Sequence, residues 1–297
     1  MKIAVLQFAP LKGNIRGSIV KVEKLIQSLR PGDVDLLVLP ELAFAGYNFP
    51  SLEAIKPYLE HAQTGPTGIW AKQTAQRLRC IVTVGYAETT FKNSSTSVDH
   101  SPPENLDRKI NFNSNIAYGP DGSLIAHYRK HFLYTVDESW CVEGSDRFYA
   151  GNYPAPVNQR VAMGICMDIN PYRFEAPWNE MEFARHALKS RAELIVLSMA
   201  WTNPDATIEE VSDDSSKIQP DWETIRYWTS RFEPIIMAEK SVIMVFGNRS
   251  GYEENVVYTG TSTIARAGYG KFEAWDIAGI GEERLVIADT NTKPQFG

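Results

Sequence analysis

The stretch VDLLVLPE (34–41) decides the fold class, because it is an unbroken apolar run of strand length that ends in proline and glutamate. A strand with apolar side chains on both faces is typical of a sheet that is covered on both sides. Two further runs have the same character, CIVTVGYA (80–87) and VAMGICM (161–167). Together they predict an α/β domain in which helices cover buried strands.

The segments between these runs predict the covering helices and the remaining strands. Apolar residues at helical spacing predict helices over 15–29, 68–79, 178–190 and 222–240, the last bent near Pro234. Further strands are predicted over 2–8, 194–201, 242–248, 257–267 and 284–290. A hairpin around Pro120-Asp121-Gly122 makes the sheet mixed, and the polar stretch 88–110 predicts a surface loop. No repeat or linker divides the chain, so we expect one domain over 1–297.

Composition and charge narrow the function. The chain has 297 residues and a net charge of −6, which argues against a general nucleic-acid binder. No apolar stretch is long enough for a membrane helix, and the N-terminus lacks the features of a signal peptide. Its three cysteines, Cys80, Cys141 and Cys166, lie far apart, which does not indicate a disulfide framework. We therefore expect a cytoplasmic protein without a membrane partner.

Three residues with chemical potential each follow a strand-like run: Glu41, Lys130 and Cys166. Ligands of α/β sheets bind beyond the carboxyl ends of strands. There a carboxylate, an amine and a thiol could act as base, oxyanion stabiliser and nucleophile. From position alone, solvated charges and a packed core thiol are the more ordinary interpretations of these residues. Metal-binding and cofactor motifs are absent, so we expect no metal and no cofactor.

Several blocks of the sequence resemble one known family. LLVLPELAFAGY (36–47), HYRKHFLY (127–134) and VAMGICMD (161–168) resemble, in order and spacing, the signature blocks of the nitrilase or carbon–nitrogen hydrolase superfamily. GNRSGYEENVVYTGTSTIARAGYG (247–270) resembles its late strand pair. The segment GICMDINPYRFEAPWNEMEFA (164–184) is most similar to the fungal protein N-terminal amidases of that superfamily.

This resemblance implies a four-layer α-β-β-α sandwich and assigns Glu41 as general base, Lys130 as oxyanion stabiliser and Cys166 as nucleophile. It also implies a second glutamate about eight positions after the lysine, which is Glu138. The implied activity is deamidation of N-terminal Asn or Gln in peptides or proteins, and the resemblance allows a homodimer. A small-molecule amidase, ω-amidase or nitrilase is the alternative, and a catalytically silent binding protein is a third interpretation.

Four residues are candidates for substrate binding. The backbone N–H of Met167 would stabilise an oxyanion. Asp168 and Glu175 could hold the substrate α-ammonium, since a free amine needs a carboxylate in the pocket. Trp201 could form a wall of the pocket. For Asp168 a purely structural role in the turn after its strand is equally consistent with the sequence, as is core packing for Trp201.

Overall fold

The computed structural model describes residues 1–91 and 109–297. The strands within these ranges are β1 (Lys2–Gln7), β2 (Leu36–Val38), β3 (Ile81–Phe91), β4 (Lys109–Tyr118), β5 (Leu124–Arg129), β6 (Tyr149–Tyr153), β7 (Gln159–Ile165), β8 (Leu194–Met199), β9 (Val242–Asn248), β10 (Tyr252–Glu253), β11 (Val256–Val257), β12 (Thr263–Gly268), β13 (Lys271–Ile277) and β14 (Arg284–Asp289). They form two six-stranded sheets, ordered β14-β1-β2-β3-β4-β5 and β13-β12-β9-β8-β7-β6, and a β10–β11 ribbon.

The α-helices of the described ranges are short. They are α1 (Ile15–Leu25), α2 (Leu52–Ile55), α3 (Pro66–Leu78), α4 (Thr135–Glu138), α5 (Glu182–Lys189), α6 (Ile208–Ser212), α7 (Trp222–Arg231) and α8 (Glu233–Ile236). No helix in the described part of the chain has the length and apolar character needed to cross a membrane.

Alternate residues of the central strands face different layers. On β1, Ile3 and Val5 pack in a cluster with the second sheet, whereas Ala4 and Leu6 pack against residues of α1 and α3. Residues of α5, α7 and α8 cover the outer face of the second sheet. The layers therefore run α-β-β-α, and the sheets are mixed because β1–β2–β3 and β7–β8–β9 pair in parallel while the other pairs are antiparallel. The predicted fold class is confirmed.

Some element predictions were wrong at their edges. Of the predicted loop 88–110, residues 88–91 belong to β3 and 109–110 to β4, and 92–108 lie outside the described residues. The predicted helix 222–240 is two helices that meet at Phe232, next to the expected bend. β6 and β13 were not predicted, because their sequences YAGNY and KFEAWDI lack a continuous apolar run.

A glycine in β3 sets the position of the chain after β2. Gly85 donates its N–H to the carbonyl oxygen of Pro40, and its own carbonyl accepts from Ala43. A Cβ at Gly85 would lie 2.7 Å from the Cα of Glu41 and 2.8 Å from the nitrogen of Leu42. The strand can therefore approach Glu41 this closely only because residue 85 has no side chain.

We expect Gly85→Ala to destabilise the protein by roughly 1–3 kcal/mol, the usual range for an overpacked core. Chemical denaturation of the purified variant measures this change. Gly119→Ala is the matched control, because a Cβ there meets only side-chain atoms at 3.0 Å or more. Equal stability of the two variants would show that the contact with Glu41 does not constrain the fold.

Candidate active site

The structure brings Glu41 and Lys130 together in a buried cluster with a second carboxylate, Asp137. Lys130 Nζ lies 2.6 Å from Glu41 Oε1 and 2.6 Å from Asp137 Oδ2. All three side chains are inaccessible to solvent. Because an unpaired charge is very costly in such a place, the ammonium and the two carboxylates depend on one another for their burial.

An asparagine and an unused oxygen complete the cluster. Asn113 Nδ2 donates to Glu41 Oε1 at 2.6 Å and to Asp137 Oδ1 at 3.0 Å. The backbone nitrogen of Glu41 donates to the carbonyl of Met199, at the end of β8, and so ties the residue to the second sheet. Glu41 Oε2 is buried and has no hydrogen-bond partner among the described residues. This oxygen is therefore free to accept a proton.

Cys166 directly follows β7 and has a strained backbone. Its φ of 40° lies in the left-handed region, which non-glycine residues seldom adopt. Leu42, directly after Glu41, has a similar φ of 43°. Strained backbone of this kind is often found at functional sites, where it fixes the direction of a side chain.

Burial and charge set the protonation of the cluster. Burial raises the pKa of the Glu41 carboxyl, Lys130 opposes this, and Asp137 adds to it. Burial works against the charge of Lys130, but Asp137 and Glu41 outweigh it and raise the pKa of the ammonium well above its usual value. Burial, followed by the Glu41 charge, raises the pKa of the Cys166 thiol well above its usual value, despite Lys130. Burial therefore favours the neutral thiol of Cys166, whereas the charge of Lys130 favours the thiolate.

Glu138 does not lie in the cluster. It is exposed at the end of α4, while its neighbour Asp137 is buried and contacts Lys130. Asp137 also accepts the N–H of Tyr134 at 3.0 Å, which closes the turn of α4. The second carboxylate is thus supplied one position earlier than expected, and the short helical turn of α4 directs Asp137 into the protein and Glu138 to solvent.

Asp168 is a structural residue rather than a ligand for an amine. Its carboxylate accepts hydrogen bonds from the backbone N–H groups of Ile165, Phe132 and His131 and from the hydroxyl of Tyr128, at 2.7–3.2 Å. It is fully buried, which raises its pKa. Asp168 thus joins the turn after Cys166 to the segment after Lys130, and it does not line the cavity that opens at Cys166.

A cavity of ≈ 500 Å³ opens at Cys166. Of the predicted substrate-binding residues, Met167 and Trp201 line it, whereas Glu175 is exposed and does not. Trp201 also packs on Tyr227 and Trp228, with ring centroids 5.4 and 5.9 Å away, so it serves both as wall and as core. The other lining residues are Tyr47, Tyr134, Asn170, Phe174, Ala200, Thr202, Asn203, Pro204, Asp221, Glu223, Thr224 and Tyr227.

The polar side of the cavity was not predicted. Asp221 caps α7 by accepting the N–H groups of Glu223 and Thr224, and its other oxygen accepts from Asn203 Nδ2 at 3.0 Å and from the Thr224 hydroxyl at 2.9 Å. An aspartate before a helix can be recognised as a cap from sequence. The sequence does not show that this aspartate lines the same cavity as Cys166, because that depends on where α7 packs. Among the described residues, the lining includes the carboxylates of Asp221 and Glu223 and no lysine or arginine.

The described residues include no group of three or more His, Cys, Asp or Glu side chains arranged to hold a metal ion. His127, which belongs to the HYRKH segment, contacts the buried Glu88 carboxylate at 3.0 Å instead. The charged groups that act on the Cys166 thiol are Glu41, Lys130 and Asp137.

Comparison with known proteins places this geometry in a family. The chain is 29% identical to the Protein N-terminal amidase of Schizosaccharomyces pombe, over 97% of this chain and 99% of the relative. Crystal structures of N-terminal amidase with an Asn-Glu-Ala peptide and with a Gln-Val peptide superpose with a TM-score of 0.81. They are 20% and 21% identical in sequence and cover 97% of this chain and 97% and 96% of theirs. Residues 2–172 match the carbon–nitrogen hydrolase family. The chain belongs to the carbon–nitrogen hydrolases.

Proposed function

We propose that this protein hydrolyses the side-chain amide of an N-terminal Asn or Gln in peptides or proteins, giving Asp or Glu and ammonia. The proposal rests on the cavity at Cys166. The Glu41–Lys130 pair lies at the nucleophile, and the described lining residues include carboxylates and no lysine or arginine. The first feature suits amide hydrolysis, and the second suits a substrate with a free ammonium group. The names of the relatives support the same activity.

In the first half of the reaction, the sulfur of Cys166 attacks the amide carbon while Glu41 Oε2 takes the thiol proton. Glu41 is needed as the proton acceptor because burial raises the pKa of the Cys166 thiol and so disfavours a free thiolate. Lys130 and the backbone N–H of Met167 stabilise the oxyanion. The C–N bond then breaks, Glu41 passes its proton to the departing nitrogen, and ammonia leaves an acyl thioester on Cys166.

In the second half, Glu41 takes a proton from water, and the hydroxide formed attacks the thioester carbonyl. The C–S bond breaks, the proton returns to the sulfur, and the acid is released. Asp137 and Asn113 keep Lys130 and Glu41 in place throughout, through the hydrogen bonds described above. Residues of the chain accept and donate every proton that is transferred and stabilise the charge on the substrate oxygen, so the scheme requires no cofactor.

We assign recognition of the substrate α-ammonium to Asp221. Its carboxylate is half-buried, lines the cavity and is held rigidly by the N-terminus of α7 and by Asn203. Glu223 is the weaker candidate, because its side chain is 88% exposed and pairs with Arg226. Asp221 therefore takes the role that the sequence had suggested for Asp168 or Glu175.

The partner of the enzyme in this proposal is an N-terminus with Asn or Gln, not a nucleic acid. We also assign the chain to the cytoplasm, because its cysteines are all free and buried. A homodimer stays a prediction from the family resemblance.

We expect Cys166→Ala to abolish hydrolysis of an Asn-starting peptide, since no other group can form the thioester. Lys130→Ala should lower kcat by about 10²–10³-fold, the usual loss of one oxyanion donor, and should also lower the stability, because it leaves Glu41 and Asp137 buried without a cation. Ammonia release and thermal unfolding measure these effects. Cys80→Ala is the control, and a folded Cys166→Ala variant with near-normal turnover would disprove the mechanism.

We expect N-acetylation of the peptide to block hydrolysis by the wild type. Asp221→Asn should lower kcat/KM for the free-amine peptide by roughly tenfold or more, the loss of one charge-assisted hydrogen bond, and should narrow the difference between the free and acetylated peptides. Asparagine keeps an acceptor for the helix cap, so the fold should survive. Glu223→Gln should leave the ratio of kcat/KM for the free-amine peptide to kcat/KM for the acetylated peptide unchanged. An unchanged ratio in Asp221→Asn would contradict the assignment.

We expect Asp137→Asn to shift the acidic limb of the kcat/KM profile to lower pH. Glu41 must be ionised to act as base, and the charge of Asp137 raises the pKa of Glu41. Removing that charge lowers this pKa, so the base stays active further into acid, while the weaker hold on Lys130 lowers kcat. Glu138→Gln, at the exposed neighbouring residue, should change neither the acidic limb of the profile nor kcat. A shift to higher pH in Asp137→Asn would refute this assignment of the base.

A further inference from the structure

A buried ion pair lies beside the active site, and the proposed mechanism does not use it. Arg249 and Glu253 belong to the GNRSGYE segment (247–253) and are 0% and 4% exposed. Arg249 Nη1 lies 2.7 Å from Glu253 Oε1, and the guanidinium lies 3.9 Å from the centre of the Tyr258 ring. A buried ion pair often adds no net stability, because taking both charges out of water is costly. We therefore ask what the contacts of this pair do for the active site.

The carboxylate of Glu253 holds the loop that follows Glu41. Glu253 Oε2 accepts the backbone N–H of Tyr47 at 3.1 Å and that of Asn48 at 2.7 Å, and it also accepts the Tyr258 hydroxyl at 2.9 Å. Gly46 has a φ of +88°, and a Cβ there would lie 2.6 Å from Glu253 Oε1. The loop thus folds around the carboxylate and requires glycine at this point.

Tyr47 is the side chain that this loop presents to the reaction. It lines the cavity with Cys166, and its ring centre lies 5.8 Å from Lys130 Nζ. Its hydroxyl makes no hydrogen bond to any residue of the described ranges. Burial, followed by the charges of Asp137 and Glu41, raises its pKa well above the usual value. The hydroxyl therefore stays neutral and can donate a hydrogen bond to a bound substrate.

We propose that Glu253 is a positioning residue of the active site, which fixes the Tyr47 hydroxyl where it donates to the oxygen of the substrate carboxamide. The inference rests on the proposed amide hydrolysis and extends it by a third oxyanion donor. Arg249 neutralises Glu253, so the carboxylate does not oppose the negative charge that develops at the substrate oxygen. Tyr47 touches the substrate, and Glu253 acts only through Tyr47.

A double-mutant cycle with Tyr47→Phe and Glu253→Gln tests this link. We expect Tyr47→Phe to lower kcat by about tenfold or more, with a smaller change in KM, because the donor acts mainly in the transition state. Glu253→Gln should lower kcat to a similar degree, and the double variant should be no slower than the slower single variant. Tyr252→Phe, on an exposed neighbour, is the matched control and should behave as wild type.

Additive losses in the cycle, or an unchanged kcat in Tyr47→Phe, would overturn the proposal. If Glu253→Gln does not fold, Tyr258→Phe replaces it, because it removes only the hydroxyl bonded to Glu253 Oε2. The same non-additivity with Tyr47→Phe is then expected, and additivity again contradicts it. The cycle is measured on whichever amide the wild type hydrolyses best. Failure with Asn- and Gln-starting peptides would therefore refute the substrate assignment without affecting the test of Glu253.

Discussion

The buried contact of Lys130 with Glu41 and Asp137 is the constraint on which the site depends. It joins the ends of β2 and β5 and the short helix α4, and every charge in it is out of contact with water. Each carboxylate is tolerated only because the ammonium is there, and the ammonium stays charged only because of the carboxylates. The burial that makes the cluster costly also raises the pKa of Glu41, which makes this carboxylate a stronger base.

Around this cluster, structural and chemical roles are divided between neighbouring carboxylates. Asp168 is saturated by hydrogen bonds and joins the turn of Cys166 to the segment after Lys130. Glu253 is paired with Arg249 and holds the loop of Tyr47. Of these three carboxylates, only Glu41 keeps a buried oxygen without a hydrogen-bond partner among the described residues. A buried acceptor that is left free beside a thiol is what a general base requires.

Much of the fold and the central residues were predictable from the sequence, since unbroken apolar runs indicated β2, β3 and β7, and the candidate residues lie where such strands end. The second carboxylate was misassigned to Glu138, one position too late. Successive residues of a helical turn point about 100° apart, so Asp137 reaches Lys130 while Glu138 points to solvent. Asp221 could not be predicted as part of the site, because it reaches the cavity only through the packing of α7.

In the proposed reaction, Cys166, Glu41 and Lys130 convert an N-terminal carboxamide to an acid. Mass spectrometry of short peptides that differ only in their first residue tests it most directly. We expect peptides that start with Asn or Gln to gain the mass of an amide-to-acid conversion. We expect the mass to stay the same when the Asn or Gln lies at the second position. Conversion of internal Asn or Gln at the same rate, or no conversion at all, would contradict it.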